Sequence, residues 1–185
     1  MYFVLLTMLI CKNVVNGLSL NNVILAAIEE FNIQDPTLIF DKTPKIREIV
    51  DLVKKLSENT QWNGFKPRRD DAHESFIIFT NLIDFEWKLQ SKAPNLIITQ
   101  IEKESDLSEI DVALDEEVYF LDSQNYEMYE SYNINYREKH VTRKLGNFTK
   151  NLQSGKINFI PFDGKIKDLI DRRRDFKGIQ LKGKN

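Results

Sequence analysis

The chain has 185 residues, 42% of them apolar and 29% charged, the balance of one folded domain, which excludes disordered and fibrous classes. The 26 Lys and Arg nearly cancel the 28 Asp and Glu, leaving a net charge of −2. No global field therefore draws the chain to nucleic acid or to an anionic membrane surface.

The first 17 residues read as a segment apart from the fold. Tyr2 to Cys11 is an apolar run interrupted only by Thr7, the length of a signal-peptide core and about half of what a membrane-spanning helix requires. Val15-Asn16-Gly17 offers small residues at a cleavage site. A buried first β-strand is the alternative reading of such a short run; the signal peptide is favoured. Cleavage would remove the single cysteine, Cys11, leaving no disulfide and no cysteine ligand or nucleophile. Asn147-Phe148-Thr149 is an N-glycosylation sequon, in keeping with an extracellular route.

From residue 18 onwards helices and strands alternate. Ser19 or Asn21 can cap a helix with apolar positions Val23, Ile24, Ala27, Ile28 and Phe31, ended by Asp35-Pro36. Thr37 to Phe40 reads as a buried strand. Thr43-Pro44 opens a second helix striped by Ile46, Ile49, Val50, Val53 and Leu56. Trp62 to Glu74 reads as a loop, Phe76 to Thr80 as a strand, Leu82 to Leu89 as a helix and Asn95 to Ile101 as a strand. Ser105 to Leu114 is weakly helical. Such alternation, with continuously apolar strands, predicts a single doubly wound, mostly parallel α/β lobe covered on both faces.

The remainder changes character. Val118 to Leu121 and Met128 to Ile134 read as strands joined by a turn at Asp122 to Asn125, an antiparallel hairpin closing the sheet. Lys139 to Lys144 is polar and basic, Lys156 to Phe162 is a strand candidate, and Ile166 to Ile170 a short helix. Ile179 and Leu181 alternate with polar residues as a strand just beginning. The expected organisation is a signal peptide over 1–17, an extracellular domain over 18–164, and a linker with the first strand of a truncated further domain over 165–185.

Four pieces of the last third carry a resemblance. They are Glu117-Val118-Tyr119-Phe120-Leu121-Asp122, Glu127-Met128-Tyr129-Glu130-Ser131-Tyr132, Leu145-Gly146-Asn147-Phe148, and Arg173-x-x-Phe176-x-Gly178-x-x-Leu181. Together they resemble the insect chemosensory ionotropic receptors, relatives of the ionotropic glutamate receptors. Phe176 stands where that family has Leu. The motif residues are Tyr119, Asp122, Glu127, Tyr129, Gly146, Arg173, Gly178 and Leu181.

The resemblance implies the non-catalytic, periplasmic-binding-protein-like amino-terminal segment of a plasma-membrane, ligand-gated cation channel. It also implies receptor subunits or a co-receptor as partners, with agonist site, pore and membrane contact beyond Asn185. The alternative is a free-standing secreted α/β binding protein derived from such a receptor.

Other chemistry has little support in the residues. His73 and His140 lie far apart, without metal-ligand spacing, so neither metal nor cofactor is expected. The acidic stretch Glu102 to Glu117 reads as a solvated face, and no nucleophile–base pattern accompanies it. No glycine-rich phosphate loop follows a strand. Arg172-Arg173-Arg174, with Asp168, Asp171 and Asp175 nearby, reads as ion pairing at a helix end and not as a nucleic-acid surface. Trp87 reads as core and Trp62 as a candidate partner contact.

Overall fold

The computed structural model describes residues 18–40, 46–59, 75–80, 93–134 and 140–164, together with Arg173. The expected signal peptide, the loop holding Trp62 and His73, the helix holding Trp87, the basic neighbours of Arg173, and Gly178 and Leu181 lie outside them.

Helix α1 (Leu20–Glu30) starts where the sequence places it, with the Ser19 side chain accepting the Asn22 N–H. It ends before Asp35-Pro36: Phe31 is the C-cap, and Asn32 and Asp35 take positive φ values of 49° and 41°. Helix α2 (Ile46–Asn59) follows strand β1 (Thr37–Phe40). Its inward side chains include Leu52 and Leu56, whereas Val50, expected in the apolar stripe, is 58% exposed. Strands β2 (Phe76–Phe79), β3 (Asn95–Thr99) and β4 (Val118–Asp122) come next, with a 3-10 helix over Glu104–Glu109 between the last two. That short helix replaces the longer one expected over 105–114.

Three strands complete the sheet: β5 (Glu127–Asn133), β6 (His140–Lys150) and β7 (Ile157–Pro161). Residues 140–144 of the polar, basic segment, to which the sequence assigns no element, form most of the first half of β6, the longest strand. Its polar side chains disguise it because β6 lies between two strands and buries only part of its surface. The hairpin expected at the sheet's end is therefore one link in a three-strand antiparallel extension.

All seven strands form one sheet in chain order, β1-β2-β3-β4-β5-β6-β7. The first four are mutually parallel, and every later pairing is antiparallel. The result is an α/β lobe on a mixed sheet. A doubly wound sheet usually covers both faces by reversing its strand order, and among the described residues this order has no reversal.

Both faces are covered nonetheless. Leu96, Ile98, Tyr119 and Leu121 point into a cluster with Val23, Ala27, Leu52 and Leu56. Ile97, Val118 and Phe120 point the other way, into a cluster with Leu107, Ile110 and Val112. The crossover through α2 thus lies on one face and the crossover through the 3-10 helix on the other. Since both step the same way across the sheet, they have opposite hands. One of them departs from the right-handed rule.

Gly146 makes the β6–β7 pairing possible. Register moves from Met128↔Gly146 to Tyr129↔Lys144, so Leu145 is an extra residue on β6, a β-bulge. Beside it, a Cβ on Gly146 would lie 2.3 Å from the Ile160 carbonyl oxygen and 2.9 Å from the Pro161 Cα. Both are backbone atoms and cannot swing aside. Pro161 itself is acceptable because β7 is an edge strand. Gly146→Ala is expected to cost roughly 1–3 kcal/mol in urea unfolding and to strip hydrogen-exchange protection from β7 while leaving β3 and β4 protected.

Candidate functional site

The motif residues that fall within the described chain gather on β4, β5 and β6, with Arg173 docked beside them. Tyr119 is buried, its ring centroid 4.3 Å from that of Phe31, and its hydroxyl donates to the Glu117 carboxylate. It joins α1 to the sheet. Asp122, only 1% exposed, organises the β4–β5 turn. Its Oδ1 accepts from the Gln124 N–H at 3.1 Å and the Ile101 N–H at 3.4 Å, and its Oδ2 accepts from the Asn125 amide at 2.9 Å.

Glu127 and Tyr129 work with a residue the sequence did not single out, Lys144. Glu127 Oε1 lies 2.5 Å from Lys144 Nζ, and Oε2 accepts the Tyr129 hydroxyl at 2.6 Å. Lys144 Nζ also sits 4.8 Å from the centroid of the Phe162 ring. Burial alone would raise the Glu127 carboxyl. The hydrogen bonds from Lys144 and Tyr129, and the charge of Lys144, outweigh it and hold the group below its ordinary value of 4.5. Burial and the neighbouring carboxylate push the Tyr129 phenol well above its usual range.

Asn147, the sequon residue, lies within β6, half-buried and paired with Glu127 on one side and Ile160 on the other.

Arg173, read as part of local ion pairing at a helix end, is 4% exposed and is partnered by residues distant in sequence. Its Nη1 donates to the carbonyls of Leu114 and Glu116, the latter at 2.9 Å. Its guanidinium carbon lies 4.3 Å from the Tyr132 ring centroid, and Nε lies 3.7 Å from Glu130 Oε2. Glu130 is fully buried, and Arg143 approaches its other oxygen at 4.0 Å. A planar fork that can bond carbonyls, stack on a ring and face a carboxylate at once suits this position as lysine would not. The side chain docks residue 173 against β5 and the approach to β4.

Two further features lie apart from these residues. An open groove of about 680 Å³ runs between α1 and the β6–β7 turn, lined by Asn22, Leu25, Ile28, Asn32, Lys156 and Ile157 among others. On β5 and β6, Ser131 and His140 are hydrogen-bonded, an order that resembles a nucleophile–base pair. Ser131 is fully buried and also lies within hydrogen-bonding distance of the Leu107 carbonyl and the Thr142 hydroxyl, so it presents no nucleophile to solvent. Among the described residues no cluster of His, Cys, Asp or Glu could hold a metal ion, and no helix is long and apolar enough to cross a membrane.

Removing Arg173 leaves a buried carboxylate facing a lost cation, so Arg173→Met is expected to destabilise the fold by about 3 kcal/mol. Glu130→Gln in the same chain should restore a substantial part of that loss; a double variant as unstable as the single one would show that the two side chains are not coupled. The Glu127 carboxyl, depressed in the folded state, contributes stability above its ordinary value that is lost as pH falls through its lowered one. Lys144→Met is expected to flatten this acid limb in thermal unfolding followed from neutral pH downwards.

No protein-family model, curated protein or solved structure matches the chain.

Proposed function

We propose that the chain is a non-catalytic, extracellular amino-terminal segment of a chemosensory ligand-gated ion channel subunit, built on a periplasmic-binding-protein-like lobe. The observation that carries this reading is the division of labour among the motif residues. Tyr119 holds α1, Asp122 shapes the β4–β5 turn, Glu127 and Tyr129 share Lys144, Gly146 admits β7, and Arg173 faces Glu130 and bonds the carbonyls before β4. Residues that resemble one family in the sequence thus serve one contiguous piece of structure.

The reading rests on these residues and on the two-faced layering, not on strand order. It gives the lobe a role in packing against other receptor subunits or a co-receptor, at the extracellular face of the plasma membrane. Agonist recognition and conduction belong to other parts of such a receptor.

Expression in insect cells with a C-terminal tag tests the route. The secreted product is expected to begin near Leu18, and recovery in the cytosol with Met1 intact would overturn the proposal. Enzymatic deglycosylation is expected to shift the secreted band, and Thr149→Ala to abolish the shift.

The groove beside α1 favours a second reading, a free-standing secreted α/β binding protein. Micromolar binding of a small acid or amine in calorimetric titration, lost on narrowing the groove with Ala26→Trp, would select it over the first.

A further inference from the structure

Two same-face rungs of the β5–β6 ladder, Asn133↔His140 and Ser131↔Thr142, separated by Tyr132↔Val141, carry a directed chain of hydrogen bonds. It ends at Asp111, on the loop after the 3-10 helix. A carboxylate only accepts, so the Asn133 amide donates to Asp111 Oδ1, at 2.7 Å. That turns Asn133 Oδ1 towards His140, whose Nδ1 lies 3.0 Å away and must be the nitrogen that carries the proton. A neutral imidazole then offers a bare Nε2 to Ser131, and the serine donates its single proton there. Thr142, 3.1 Å from Ser131 Oγ, supplies the hydrogen that the serine accepts. The chain runs one way, from Thr142 through Ser131, His140 and Asn133 to Asp111.

A second acceptor waits beside Ser131. The Leu107 carbonyl of the 3-10 helix lies 3.2 Å from Ser131 Oγ and already accepts the Ile110 N–H at 3.3 Å, so it is satisfied whether or not Ser131 donates to it. When His140 takes up a proton, both ring nitrogens become donors. Nε2–H then donates to Ser131 Oγ, and the serine proton has to leave that axis for the Leu107 carbonyl. Every group stays bonded in either state. One proton is taken from solvent, none is lost, and one hydrogen bond moves.

We infer that Ser131 is a two-position hydroxyl switch, thrown by protonation of His140, that transfers one hydrogen bond from the β5–β6 ladder to the 3-10 helix at Leu107. Asp111 is the charged group facing the ring among the described residues; the other polar neighbours are Ser131 and Asn133 on β5 and Thr142 on β6. Burial holds the imidazole below its ordinary 6.5, with the Asp111 charge pulling the other way. The switch is therefore thrown by acidification below 6.5. Because the folded value is the lower one, the stability that neutral His140 contributes is complete above 6.5 and declines as pH falls through the lowered value.

Nuclear magnetic resonance on the His73→Gln chain, which leaves His140 as the lone histidine, tests the switch. With ring nitrogens labelled, the Nδ1-protonated tautomer is expected at mildly alkaline pH. On acidification the Leu107 carbonyl carbon is expected to shift with the same midpoint as the His140 ring. In Ser131→Ala the ring should still titrate while the Leu107 carbonyl stays flat. Asp111→Asn, which keeps the serine, should lower both midpoints together. An Nε2-protonated tautomer at alkaline pH, or a Leu107 carbonyl that does not move as His140 charges, would overturn the inference.

Discussion

The β3–β4 pair has no wet face, and the rest of the lobe is arranged around that constraint. Its five paired rungs, from Asn95↔Val118 to Thr99↔Asp122, are all buried. A strand pair that is dry on both sides needs apolar cover above and below and polar closure at its ends. Cover comes from α1 and α2 on one face and from the 3-10 segment on the other. Closure comes from two buried polar residues. Asn95 accepts the Phe76 N–H at 3.0 Å and donates to the Ala93 carbonyl at 2.8 Å, tying β2 to the start of β3. At the opposite end Asp122 collects N–H groups from the β4–β5 turn and from Ile101.

Away from that centre the chemistry becomes more polar. β5 and β6 exchange apolar contacts for charged and hydroxyl-bearing ones: Glu127 with Lys144, Glu130 with Arg143 and Arg173, Ser131 with His140 and Thr142. Such groups are costly to bury unless each is matched, and matching requires register. The bulge at Leu145 fixes it: with unbulged pairing Leu145 would stand opposite Tyr129, and Lys144 would move opposite Glu130, onto the other face, and lose Glu127. The bulge and the glycine beside it thus set both the polar pairing on β5 and the docking of β7.

How much of this the sequence discloses depends on whether a local pattern or a distant partner decides each element. Ser19 capping α1, the apolar runs of β1 to β3, and the turn at Asp122 to Asn125 are local, and all are readable. β6 is not, because Thr142, Arg143 and Lys144 earn their strand from partners on β5. Arg173 reads as a partner of its neighbouring aspartates because what it meets, Glu130 and two carbonyls, stands far back along the chain. The strand order is hidden too. Alternating helix and strand signals predict parallel pairing but say nothing of which face a crossover takes, and here α2 and the 3-10 helix take opposite ones. The Ser131–His140 contact is likewise invisible, since the two meet only through the β5–β6 register and no catalytic spacing links them in sequence.

The first helix of the lobe is completed by its last strand. Phe31, at the end of α1, sets its ring against Phe159 of β7, with centroids 5.4 Å apart, and Ile157 and Phe159 pack on the cluster that α1 fills. A chain emerging from the ribosome makes α1 early and β7 more than a hundred residues later. Until then the helix carries an apolar stripe with part of its cover missing. Non-local closure of this kind raises contact order and slows folding, and it leaves sticky surface open during synthesis. The nascent lobe is accordingly a natural client for chaperones that shield hydrophobic stretches, needing them longest at its amino-terminal helix.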